Sequence, residues 1–134
     1  MIDKEDTIKR LVKAYPGYRE QLEKTMGSYL GLDGEILWIF LISNPLSDLV
    51  CINFENGNYE NSDALFLEVE ALIDQGTQEV KDIICTGFLE SLQNQTKLAG
   101  KYWAPLLGKQ ATEFCQAMDE FYGVKTEGLP CYNA

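Results

Sequence analysis

The pattern of apolar and polar positions is clearest over residues 77–95, TQEVKDIICTGFLESLQNQ. Val80, Ile83, Ile84, Gly87, Phe88 and Leu92 keep the i, i+3, i+4, i+7, i+8 spacing of one helical face. Cys85 and Leu89 widen this stripe, and Lys81, Asp82, Thr86, Glu90, Gln93 and Asn94 occupy the other side. A stripe this broad predicts a helix packed by neighbours on more than one side. Gly87 has no side chain, so a second helix can approach there, at about 1 kcal/mol of helix propensity relative to Ala.

Further helices follow from the same spacing. Residues 3–15 place Ile8, Leu11, Val12 and Tyr15 on one face, with acids in the first turns and bases in the last, matching the helix dipole. Pro16-Gly17 breaks this helix, and a second is predicted over 17–29 through Tyr18, Leu22, Met26 and Tyr29, weakening at Gly27 and Gly31. Asn61 or Ser62 caps a helix over 62–75 with Leu65, Val69, Leu72 and Ile73 inward. Gly76 stops it, and the short break to the central helix predicts adjacent, antiparallel partners. Residues 96–108 read as a loop with one short helix. The last helix spans 109–122 and ends at Gly123, and 124–134 reads as a tail without regular structure.

Between these lies an ambiguous stretch. EILWIFLISN (35–44) suits a buried strand or a buried helix, and Pro45 is read as its end. LSDLVCINFEN (46–56) faces Leu46, Leu49 and Val50 inward as a helix. As a strand it alternates at Val50, Ile52 and Phe54 into Asn56-Gly57, a hairpin signal. The return strand is poor and the surroundings are helical, so helix is preferred; a short β-hairpin within 36–58 is the alternative. The fold expected is all-α: one domain over 1–134, a bundle of about five to seven helices paired in a HEAT-like way.

Charge sharpens the picture. The net charge is −10, and residues 33–90 hold twelve acids against one base, Lys81, or −11. Phosphate contact needs a basic surface, so direct nucleic-acid binding is not expected of that segment. An acidic surface suits a basic partner protein, or simply solubility. The densest acidic run is Glu55, Glu60, Asp63, Glu68, Glu70 and Asp74, taken as the candidate partner-binding residues. The longest apolar run, Ile36–Ile42, is far too short for a membrane span, and MIDKEDTIKR lacks the apolar centre of a signal peptide. A cytoplasmic protein is expected.

Catalytic chemistry finds little support. The chain has no histidine, the commonest general base and metal ligand. It has no Gly-rich phosphate loop and no nucleophile elbow. Cys51, Cys85, Cys115 and Cys131 show no C-x-x-C spacing, and Cys85 and Cys115 sit on apolar stripes as small hydrophobes. The Asn56-Gly57-Asn58 region fails as a calcium loop, because Ile52 and Phe54 fall where oxygen ligands are needed. No catalytic, cofactor-binding or metal-ligating residue is assigned, and no enzymatic activity is expected. Tyr102-Trp103 and Phe121-Tyr122, flanking the last helix, are read as core, with exposed interface anchors as the alternative.

Three motifs carry a resemblance: Phe88-Leu89-Glu90-Ser91-Leu92, Leu107-Gly108-Lys109-Gln110-Ala111 and Asp119-Glu120-Phe121-Tyr122-Gly123. Over residues 60–128 their order resembles a family of small bacterial all-α proteins that includes immunity partners of polymorphic and contact-dependent growth inhibition toxins. The resemblance implies an antitoxin that binds a cognate toxin domain, a nuclease by expectation, and covers its basic active-site surface. It supplies no catalytic motif. The alternative is a non-enzymatic helical adaptor or regulatory subunit with another protein partner.

Overall fold

The computed structural model describes residues 1–25, 38–95 and 97–130. Their helices are α1 (Lys4–Ala14), α2 (Tyr18–Thr25), α3 (Trp38–Glu55), α4 (Ser62–Gln75), α5 (Gln78–Asp82), α6 (Glu90–Gln93) and α7 (Lys109–Tyr122). A π-helical segment, Ile83–Leu89, joins α5 to α6 without a break, and two 3-10 turns, Gly100–Tyr102 and Ala104–Leu106, lead into α7. The protein is an all-α, single-domain bundle.

The helix over 78–93 lies at the centre of the core. Its buried side chains in the π segment are Ile83, Ile84, Phe88 and Leu89. They recur at a spacing of five, which a π turn keeps on one side and an α turn would spread. The Glu90 N–H reaches back five residues to the Cys85 carbonyl. The predicted close approach at Gly87 is present: a Cβ there would lie 2.7 Å from Ser43 Oγ and 2.8 Å from Ser43 Cβ, on α3. Phe66 of α4 and Phe88 meet across the core with ring centroids 6.1 Å apart.

The ambiguous stretch is one helix where it is described, and two readings of it need correction. First, Pro45 does not end a helix; it lies inside α3. Proline removes the N–H that the Leu41 carbonyl would use and its ring presses on that turn. The buried Tyr18 hydroxyl donates to the neighbouring carbonyl, that of Ile42, at 2.8 Å. Second, Asn56-Gly57 is a helix stop and not a hairpin turn. Gly57 is left-handed (φ +72°). Its N–H bonds the Phe54 carbonyl at 3.0 Å, and the Asn58 N–H bonds the Asn53 carbonyl at 2.8 Å. These two bonds are the Schellman closure of α3, which uses the same left-handed glycine a hairpin would. Met26, Tyr29 and residues 36–37 lie outside the described residues, as do the predicted breaks at Gly27 and Gly31.

Ile2 and the segment 124–130 are tied in by contacts that no local pattern announces. Ile2 forms a parallel bridge to Gly76, with its N–H on the Gln75 carbonyl and its carbonyl accepting from the Thr77 N–H, both at 2.9 Å. Asp3 caps α1 by accepting from the Asp6 N–H at 2.9 Å. Residues 124–130 form no helix but are docked, with Leu129 buried and Thr126 held by Asp119.

Candidate partner-binding surface

The α3–α4 connection is a tight corner built from local hydrogen bonds. Asn58 Oδ1 accepts from the Glu60 N–H at 3.1 Å, Ser62 Oγ donates to the Tyr59 carbonyl, and Asn61 takes a left-handed conformation (φ 63°). Phe54 is buried and anchors Tyr59 edge-to-face, with centroids 4.9 Å apart. This fixes Glu55, Glu60 and Asp63 at the surface, with half-exposed Tyr59 and Ile52 nearby in sequence.

The six acidic candidates fall into two groups. Glu55, Glu60 and Asp63 are exposed, and none forms an ion pair among the described residues. The other three are committed internally. Glu68 pairs with the Arg10 guanidinium, tying α4 to α1. Glu70 accepts from the Gln110 and Ala111 N–H groups at 2.8 and 3.0 Å. There it acts as the cap of α7, whose N-cap residue, Gly108, offers no side chain to do so. Asp74 accepts from Gln110 Nε2 at 2.9 Å. An exposed acid free of bases can meet a partner's cation without first breaking an internal bond; Glu68 and Glu70 cannot.

The field on α3 is negative. The Cys51 thiol is pushed up to about 11 by burial first, then by the charges of Glu55 and Asp48. Asp48 is itself raised by burial. Glu55 sits at the C-terminal end of α3, where the dipole is already negative, and the last turn holds no base.

Other polar chemistry is internal. Asp119 is buried on α7 and accepts from Gln93 Nε2 (3.0 Å), the Thr126 N–H (2.6 Å) and Thr126 Oγ1 (2.7 Å). Sequence reading missed it, although a carboxylate in register with Cys115 on the apolar stripe of 109–122 was a usable signal. Cys51, Cys85 and Cys115 are free thiols, with Cys85 pushed up to about 11 and Cys115 to about 12, both chiefly by burial. Such a shift favours the protonated thiol over the nucleophilic thiolate at neutral pH. Cys131 lies outside the described residues. Among the described residues no group of three or more His, Cys, Asp or Glu side chains is placed to hold a metal ion, and no helix is long and apolar enough to cross a membrane. Trp103 is core, as read, but Tyr102, Phe121 and Tyr122 are exposed.

With this geometry in place, comparison with known proteins is informative at one point. A family model described as a domain of unknown function, DUF7674, matches residues 8–123. The chain belongs to this family. The DUF7674 match runs from within α1 to the cap of α7, so it takes in the α3–α4 corner, the Glu70 cap and the central helix. No curated protein and no solved structure matches the chain.

Proposed function

We propose that this protein is a non-enzymatic, cytoplasmic immunity protein. It binds a cognate toxin domain, a nuclease whose substrate path is lined with Lys and Arg, and neutralises it by covering that basic surface. The observation that carries the reading is the corner formed by Glu55, Glu60 and Asp63: three exposed carboxylates without an ion pair among the described residues, fixed by a rigid turn. Supporting it are the net charge of −10 and the motif resemblance across 60–128.

The physical role of the corner is steering and complementarity. Opposite charges across an interface raise the association rate, and the effect falls as salt rises. The half-exposed Tyr59, held edge-on by Phe54, adds a rigid aromatic contact beside the charges.

The test is kinetic. Association of the protein with the polypeptide encoded immediately upstream, the expected toxin, is measured across ionic strength, for the natural chain and for Glu55→Lys/Glu60→Lys/Asp63→Lys. The proposal expects the variant to associate at least about tenfold more slowly at low salt and with a flatter salt dependence. An unchanged rate and an unchanged salt slope would reject the electrostatic interface.

A further inference from the structure

Two side chains that wall one cleft, Gln93 and Trp103, each carry a buried polar atom with no hydrogen-bond partner among the described residues. The cleft has a volume of about 530 Å3. It is bounded by the end of α6, by residues 97–103 and by residues 124–127 of the docked segment. Leu92, Leu98 and Val124 contribute apolar wall.

These walls are held in place by the fold. Asp119 accepts from the Thr126 N–H at 2.6 Å and from Thr126 Oγ1 at 2.7 Å. The segment then passes so close to Gly100 that a Cβ there would lie 2.6 Å from the Glu127 carbonyl oxygen. Trp103 is fully buried. Its indole nitrogen can only donate.

The Gln93 amide has one orientation. Its Nε2 donates to the Cys115 carbonyl at 3.0 Å, to Asp119 Oδ1 at 3.0 Å and to Thr126 Oγ1 at 3.2 Å. Turning the amide over would set Oε1 against a carbonyl and a carboxylate oxygen. Oε1 therefore remains an acceptor without a donor.

A buried donor or acceptor without a partner is costly, and native folds keep few of them. Here the two are complementary: Trp103 has an N–H to give and Gln93 an oxygen to receive. A carboxylate would satisfy the indole and repel Oε1, and an ammonium would do the reverse. A neutral amide supplies both counterparts in one planar group.

We propose that the cleft walled by Gln93, Leu98, Trp103 and Val124 binds a small molecule that carries a carboxamide. The ligand's carbonyl accepts from Trp103 Nε1, and its N–H donates to Gln93 Oε1. The volume lies within the range of small-molecule sites. This site shares no residue with the acidic corner and stands independently of the toxin reading.

The test is an NMR titration of the full chain with benzamide and with N,N-dimethylbenzamide, which keeps the ring and the carbonyl but has no N–H. The chain has two tryptophans, Trp38 and Trp103, so two indole N–H signals separate the cleft from the rest of the protein. Benzamide is expected to bind saturably, moving the Trp103 indole N–H and the Gln93 side-chain amide and leaving the Trp38 indole in place. The dimethyl compound is expected to bind at least about tenfold more weakly, the loss of one hydrogen bond. Trp103→Phe keeps an aromatic ring, removes the donor and is expected to weaken benzamide by a similar factor. No saturable shift at Trp103, equal binding of the two compounds, or unchanged affinity in a folded Trp103→Phe chain would each overturn the proposal.

Discussion

The Tyr18 hydroxyl donates a 2.8 Å hydrogen bond to the carbonyl of Ile42, three residues before Pro45. It ties α2 to α3 at the turn that proline opens. Tyr18 is fully buried, and burial raises its hydroxyl far above the ordinary phenol value, so it stays protonated and donating across the physiological range. Tyr18→Phe removes the donor and leaves a buried carbonyl short of a partner. The expected cost is about 1–2 kcal/mol, read as a lower urea midpoint with an unchanged slope. An unaltered midpoint would show that the α3 turn does not depend on Tyr18.

Gly87 and Ser43 set the distance between the central helix and α3. Gly87→Ala adds helix propensity worth about 1 kcal/mol. It also places a methyl 2.7 Å from Ser43 Oγ. Overpacking of this kind costs about 1–3 kcal/mol, so the substitution is expected to destabilise. Ser43→Gly in the same chain removes the colliding atoms and is expected to recover part of the loss. Equal stability of Gly87→Ala and the natural chain in urea unfolding would contradict the close approach.

The division among the acids is measurable without any partner. Glu70→Gln weakens the cap on Gln110 and Ala111 and is expected to cost about 0.5–2 kcal/mol. Glu60→Gln touches no internal partner through its side chain and is expected to stay within about 0.5 kcal/mol of the natural chain. Similar losses in the two variants would erase the distinction between committed and available carboxylates.

The buried Cys51 and Cys115 thiols and the half-buried Cys85 thiol predict an alkaline limit to stability. Cys51 and Cys85 are pushed up to about 11 and Cys115 to about 12, from an ordinary 9.0. A raised value in the fold means that the fold favours the protonated thiol. That contribution is complete below pH 9 and is lost as pH rises through 9 towards 12. Urea midpoints are therefore expected to fall between pH 9 and 11, and Cys115→Ala is expected to flatten the fall. A midpoint constant over that range would contradict the burial of these groups.

The helices written in strong local stripes were legible in the sequence. Residues 62–75 and 109–122 match α4 and α7 end to end, and Gly87 was recognised as a contact point because only a glycine in a broad stripe makes sense there. Pro45 misled because its local meaning depends on a distant donor, and Asn56-Gly57 kept a hairpin open as the alternative because its meaning depends on the preceding secondary structure. Glu68, Glu70 and Asp74 could not be separated from Glu55, Glu60 and Asp63 by composition. Their partners, Arg10 and Gln110, lie far away in sequence. Phe121 and Tyr122 have the same chemistry as core aromatics, and only the packing of α7 shows that nothing in the described bundle covers them.

The most direct measurement is co-expression with the polypeptide encoded immediately upstream, scored by cell survival and by co-purification. An immunity protein rescues cells from a toxic neighbour and is isolated in complex with it, and Glu55→Lys/Glu60→Lys/Asp63→Lys loses both effects while remaining folded. A neighbour that is harmless, or a toxic one that this chain neither binds nor neutralises, would contradict the account and return the acidic corner to a role in solubility.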